Sequence, residues 1–321
     1  MIQRYDLAPL DGITKVVFRR VWNRHFAGAD RCFIAFFSRT EHHVVTARDF
    51  RELDPDQNRD LPSVPQVMSC KAPDFLWAAE VLGDLGYTEV NLNLGCPSGT
   101  VTAKGKGAGF LARPDDLDRF FDEVFSQVKL PVSVKTRLGI ADPAEFEWLL
   151  EIYNRYPIAC LTIHARVQKE KYRGPVHLEE FGRTLENSRN PVCYNGDLRT
   201  VAEVHALEKR FPAVESVMIG RGAVADPALL RKLRGGPAAT REELQAFMQD
   251  LYREYQAFYG QVGTAAQRMR EVWFYLIHLF DDADRLNKKL RRFKNPGEYE
   301  AIEAAIFQEL PLRDHCEGDL I

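Results

Sequence analysis

Several things are scarce or missing in the 321 residues, and each absence excludes a class of protein. The six cysteines, at 32, 70, 96, 160, 193 and 316, form no CxxC pair. Neither a disulfide framework nor a zinc ribbon is therefore expected, and the chain reads as one from a reducing, cytoplasmic compartment. No histidine or carboxylate pair has ligand spacing, so no metal site is predicted. No apolar run approaches the roughly 18 residues of a membrane span, and the opening MIQRYDLAPLDG lacks a signal peptide's apolar core. Excess positive charge is lacking too. With 43 Lys+Arg against 46 Asp+Glu and a net charge of −3, any grip on nucleic acid must come from a local patch. No low-complexity segment interrupts the chain.

What is present is a repeat of short β-rich runs between amphipathic stretches, the pattern of parallel βα units. Strands are predicted near 5–8, 32–37, 64–68, 89–93, 132–135, 160–164, 192–195 and 216–219. Between them, 73–85 opens with a proline and Asp74 and places Phe75, Ala78, Ala79, Leu82 and Leu85 on one helical face. The stretch 115–128 does the same with Leu117, Phe120, Phe121, Val124 and Val128. Eight such units within about 250 residues are the length of a (β/α)8 TIM barrel. A doubly wound sheet would carry a Gly-rich turn after its first strand, where this chain has Ala8-Pro9-Leu10-Asp11-Gly12. From 241 onward no strand is evident. The stripe Met269, Val272/Trp273, Leu276/Ile277 and Phe280 predicts a helix over 265–280, and a C-terminal all-helical domain is expected. The expected division is 1–236 and 237–321, with Gly235-Gly236-Pro237 as the hinge.

In a barrel the chemistry gathers where strands run out into the βα loops. The polar residues at those ends are Gln66, Asn93 with Cys96, Lys135 with Arg137, His164 with Arg166, Asn195 with Asp197, and Gly220 with Arg221. Asn195-Gly196-Asp197 and Gly220-Arg221-Gly222 follow strands seven and eight, the usual barrel phosphate position, where glycine admits close backbone approach and arginine supplies a forked partner. Two tight turns would also explain them singly; together they favour a phosphate-bearing cofactor. Lys135 ends a buried strand and needs an anion, a polar cavity or a structural ion pair. Gln66 suits either a ring edge or a strand-end cap. His164 suits either a structural hydrogen bond or, with Arg166 and Tyr172-Arg173-Gly174 beyond it, a planar or anionic ligand. Cys96, between Gly95 and Pro97 in a polar loop, is not placed to pack as a buried hydrophobe. As a thiol it suits proton donation better than nucleophilic attack, which would need an activating base. The following Thr102–Gly109 stretch, TAKGKGAG, reads as a basic, flexible loop carrying Lys104 and Lys106.

Four segments together name a family. Asn91-Leu92-Asn93-Leu94-Gly95-Cys96-Pro97, Ser133-Val134-Lys135-Thr136-Arg137-Leu138-Gly139, Asn195-Gly196-Asp197 and Met218-Ile219-Gly220-Arg221-Gly222 closely resemble the tRNA-dihydrouridine synthases. The likeness runs in order from about Ala8 to Ala223 and continues through Arg268. It implies a barrel binding FMN tightly, NADPH as reductant, and a helical RNA-binding domain. Pro9, Leu10, Gly12, Gln66, Lys135 and His164 would lie around the flavin, and Asn195, Gly196, Asp197, Gly220 and Arg221 at its phosphate end. Asn93 would help position the uracil. Hydride would pass from flavin N5 to uridine C6 while Cys96, the general acid, protonates C5. Leu10 stands where the family commonly has methionine, His164-Ala165-Arg166-Val167 where HGRT is usual, and Gly99 where relatives often carry a basic residue.

Residues 241–321 hold 11 Lys+Arg against 15 Asp+Glu, yet Arg285, Lys288, Lys289, Arg291, Arg292 and Lys294 crowd into ten positions. A continuous helix would align Arg285, Lys288/Lys289 and Arg292. A solvated charged face reads the same way. The residues offered for RNA contact are Asn93, Lys104, Lys106, Arg137, Arg166, Tyr172, Arg268, Arg270, Lys288 and Arg292, with tRNA as partner, no protein partner and a monomer expected. Two other functions remain open: a flavin barrel reducing a free small molecule, and a non-catalytic RNA-binding protein.

Overall fold

A computed structural model describes residues 1–37, 42–318 and 320. Eight parallel strands close into a barrel in sequence order: β1 (Arg4–Leu7), β2 (Arg31–Phe37), β3 (Ser63–Val67), β4 (Val90–Leu94), β5 (Val132–Arg137), β6 (Leu161–His164), β7 (Val192–Asn195) and β8 (Ser216–Ile219). β8 returns to β1 with Asp6 opposite Met218. Every predicted strand is present, with ends moved by two residues at most.

The alternation along each strand explains why a barrel forms. Val90, Leu92 and Leu94 of β4, Val132 and Val134 of β5, Leu161 and Ile163 of β6, and Val217 and Ile219 of β8 are all buried apolar positions two apart. They face the helical layer outside. The intervening positions point inward and carry Asn91, Asn93, Ser133, Lys135, Arg137, Thr162, His164 and Asn195. A smaller apolar group, with Phe33, Val64, Cys193 and Met218, fills the middle of the barrel. The interior is therefore polar towards the C-terminal ends of the strands, where a site can be built.

The outer helices follow their sequence signals. Ala72–Asp84 begins with a proline in its first turn and Asp74 beside the helix dipole, and it buries Phe75, Ala78, Ala79 and Leu82. Pro114–Gln127 has the same plan, with Asp115 and Asp116 in its first turn and Leu117, Phe120, Phe121 and Val124 buried. One stretch departs from expectation. The segment read as a flexible basic loop, Thr102–Gly109, starts at the end of a short helix, Gly99–Thr102, and keeps Lys104 and Lys106 in a turn. From Gly107 it enters a 3-10 helix, Gly107–Ala112, which buries Phe110 and Leu111.

Beyond 240 the described chain is helical: Arg241–Tyr259, Val262–Leu276, Asp284–Leu290 and Pro296–Glu309. The helix predicted over 265–280 gives way at Ile277 to a 3-10 turn, and Phe280 is extended, bridged to Leu312. Asp284–Leu290 ends before Arg292, so that residue does not share a helical face with Arg285 and Lys288. The first C-terminal helix packs on Val16–His25 of the barrel. Phe247 meets Phe18 and Phe26 edge-on at 6.1 and 5.2 Å, and Arg24 pairs with Glu254 at 2.5 Å. Arg231 holds the connecting segment, donating to the Pro237 and Ala238 carbonyls and pairing with Glu243.

Candidate active site

The C-terminal ends of the strands open onto a cavity of about 680 Å³. Of the residues singled out in the sequence, thirteen line it: Pro9, Leu10, Asn93, Cys96, Lys135, Arg137, His164, Tyr172, Asn195, Gly196, Asp197, Gly220 and Arg221. The others lie elsewhere. Gln66 is buried beneath the floor, and Arg166 stands behind the wall at 1% exposure. Gly12, at φ +86°, turns the first βα loop beside the Arg268–Glu271 pair. Lys104, Lys288 and Arg292 are exposed outside the cavity, and Lys106 lies in the turn before the 3-10 helix. Phe274, Tyr275 and Leu320 also line the mouth and were not foreseen. Phe274 falls off the buried stripe of its helix, which was the available signal.

Cys96 is held from below. Its backbone N–H and that of Gly95 both donate to Asn93 Oδ1, at 2.9 and 3.0 Å. Asn93 Nδ2 donates to Gln66 Oε1 at 2.6 Å, Gln66 Nε2 to Asn91 Oδ1 at 2.7 Å, and Asn91 Nδ2 to Ser133 Oγ at 2.9 Å. This chain of amides locks each side chain in one orientation. Asn91 is the member whose importance the sequence did not signal. From the other side the 3-10 helix fixes the loop, with Ala108 N–H on the Cys96 carbonyl at 3.1 Å. Burial pushes the Cys96 thiol above its ordinary value, against the pull of the Ser98 backbone and Arg137. At neutral pH the side chain is therefore a thiol, not a thiolate.

Beside Cys96, beginning on the neighbouring strand β5, lies an electropositive wall. Lys135 donates to Asn195 Oδ1 at 2.9 Å, and Asn195 donates to the Met218 carbonyl. Burial and the nearby Arg137 bring the Lys135 ammonium down to about 7. Arg137 spans the floor, bonded to the carbonyls of Gly95 (2.7 Å) and Lys171 (2.6 Å), and is itself pushed down to about 10 by burial. Burial, then Arg137, Lys135, Arg166 and Arg221, keeps His164 neutral. Asp197 is the carboxylate that answers this charge. Arg166 and Arg221 both pair with it and hold it below the usual carboxylate range despite its burial. Its φ of +35° is a left-handed conformation unusual outside glycine, maintained by the two ion pairs. Tyr172 lies between the guanidinium groups of Arg137 (5.3 Å) and Arg221 (5.4 Å).

Such a wall has the charge to take a planar, anionic ligand beside a protonated thiol. The chain matches the family described as dihydrouridine synthase over residues 6–310. It belongs to the dihydrouridine synthase family. A probable tRNA-dihydrouridine synthase of Synechocystis is 30% identical over 282 residues, 83% of this chain and 76% of the relative. The tRNA-dihydrouridine(16) synthase of Ralstonia nicotianae is 28% identical over 312 residues, 92% and 94% of the two chains. Among solved structures, histamine dehydrogenase from Rhizobium superposes with a TM-score of 0.54 at 13% identity, covering 77% of this chain and 49% of that one; the likeness is one of fold. Membership in the family makes the chain an oxidoreductase. No helix among the described residues is long and apolar enough to cross a membrane, and no described cluster of His, Cys, Asp and Glu is placed to hold a metal.

Proposed function

We propose that this dihydrouridine synthase is a cytoplasmic enzyme that reduces the C5–C6 double bond of a uridine in tRNA, using FMN and NADPH. Residues 1–236 would form the catalytic unit and 237–321 the RNA-binding unit. The observation that carries the reading is the pairing, in one cavity, of a thiol kept protonated by burial with a buried ammonium that has spare donors. Lys135 has three N–H donors and one hydrogen-bond partner among the described residues, Asn195. A flavin's pyrimidine edge would satisfy the remainder, so the residues fit the group. Asn195, Gly196, Gly220 and Arg221 would hold its phosphate end. The approach at Gly220 is tight: a Cβ there would come within 3.2 Å of Ala8 Cβ, so a side chain would need its neighbours to give by a few tenths of an ångström.

When bound and reduced by NADPH, FMN supplies hydride to uridine C6. The remaining work belongs to the protein. Enolate-like charge develops across C5 and the C4 carbonyl, and Cys96 delivers a proton to C5. The Asn93–Gln66–Asn91 chain keeps its loop from drifting. Neutral His164 offers a hydrogen bond without adding charge. The uridine must leave its stack to enter, at a cost of a few kcal/mol, which folded RNA contacts outside the cavity would offset.

The test is direct. The purified protein should carry FMN, and unmodified tRNA should oxidise the NADPH-reduced form with one dihydrouridine formed per flavin turned over. A polypeptide that stays colourless with added FMN, or a reduced flavin indifferent to tRNA, overturns the proposal.

A further inference from the structure

Beside the mouth of the catalytic cavity lies a second hollow of about 410 Å³, within the range of small-ligand sites. The two share Ile13, Phe274 and Tyr275, and the far side of the second is formed by Arg270, Asn287 and Arg291. Phe274 is 37% exposed, a large apolar side chain turned away from the core. The Arg291 guanidinium lies 5.8 Å from its ring centroid, and Tyr275 meets the ring edge-on at 5.0 Å.

The charge around this hollow is unbalanced. Arg268 and Arg285 are neutralised by Glu271 and Glu309. Among the described residues Arg270, Lys288, Lys289, Arg291 and Arg292 have no ion-pair partner, although the C-terminal region as a whole is acidic. An open aromatic face, arginines beside it and spare positive charge are the elements of a stacking platform for single-stranded nucleic acid. Position supplies the rest of the argument. A uridine withdrawn into the first cavity leaves its neighbour in the strand without a stacking partner, and the second hollow adjoins the first, with Ile13, Phe274 and Tyr275 lining both.

We propose that this hollow is a second base site, which receives the nucleobase adjoining the reduced uridine, stacked on Phe274, with Arg270 and Arg291 on the flanking phosphates. The proposal rests on the reading of the chain as an RNA reductase and adds to it a site for a second nucleotide.

The experiment compares the FMN-loaded protein with its Phe274→Ala, Phe274→Tyr and Arg291→Ala variants. Affinity for unmodified tRNA is read by fluorescence anisotropy, and melting temperature confirms folding. Phe274→Ala should weaken binding about fivefold or more, while Phe274→Tyr, which keeps a stacking face, should bind as the parent does. Arg291→Ala should weaken binding and reduce the slope of log K against log salt by about 1. If the parent reduces tRNA but Phe274→Ala binds it equally well, the second site fails and the functional reading stands. A parent that neither binds nor reduces tRNA overturns both. A Phe274→Ala variant whose only loss is a higher KM for NADPH would assign the hollow to the reductant and overturn the proposal.

Discussion

At the scale of single residues, two titrating groups, one just past β4 and one on the neighbouring strand β5, line the same cavity, and burial moves them in opposite senses. A general acid works only while protonated, so a thiol raised by burial extends its useful range to the alkaline side. Single-turnover oxidation of the reduced enzyme by tRNA should hold a plateau through neutrality and fall only as pH rises past the elevated thiol value. Cys96→Ala should retain FMN, visible in its absorbance, and lose about 10²–10⁴-fold in rate. Lys135 is the converse. Its folded value of about 7 lies below the lysine value of about 10.4 in an unfolded chain. The unfolded state therefore binds more protons between those limits, and ligand-free stability rises with pH across that window. Below pH 7 the full penalty of the buried ammonium is present. Lys135→Met should thus raise the melting temperature of the ligand-free protein at pH 6 while weakening FMN binding; a lower melting temperature would show that the ammonium has a satisfying structural partner.

At the scale of elements, the strands were legible because apolar residues recur at a spacing of two from Val90 to Leu94 and from Val132 to Val134, bounded by Gly- and Pro-containing turns. Most of the foreseen cavity-lining residues were legible because they lie at or just beyond the ends of strands, whereas Phe274, Tyr275 and Leu320 come from the C-terminal region and were not. The helical turns at Gly99–Thr102 and Gly107–Ala112 were not, since Gly105, Gly107 and Gly109 signal a loop in any local reading. Tertiary contact decides their conformation: Gly107, at φ +54°, sits where an added Cβ would lie 2.9 Å from the Cys96 carbonyl oxygen and 3.0 Å from its Cβ. The amide chain under the floor was equally hidden, because Gln66 and Asn91 are 25 residues apart and meet only when β3 pairs with β4. Arg292 was placed on a helix that ends two residues earlier. Gly107→Ala tests the element that braces the acid. Strain and the close approach to Cys96 should destabilise the fold by about 1 kcal/mol or more, read as a lower melting temperature, and turnover should fall further than that loss of folded protein explains. Unchanged turnover would mean that the 3-10 helix does not set the position of the thiol.

At the scale of the whole molecule, composition suggested two units joined at a glycine hinge, and the packing shows how closely they are coupled. Phe247 reaches from the first C-terminal helix into a cage of Phe18 and Phe26, and Arg231 pins the connector to Glu243 on the same helix. Phe274, Tyr275 and Leu320 close one side of the cavity itself. The site is therefore shared by both regions, and positioning of an RNA on the C-terminal helices can be transmitted to the thiol only if that contact is rigid. Burying apolar rings at the junction should make the two regions unfold together. A single calorimetric transition, with equal calorimetric and van't Hoff enthalpies, is the expected result. Phe247→Ala should remove about 3–5 kcal/mol and shift the transition down without dividing it, since each region leaves apolar surface uncovered when the other departs. Two resolved transitions in the variant would mean that the barrel and the helices are separately stable, and that the hinge read from Gly235-Gly236-Pro237 is a mechanical joint.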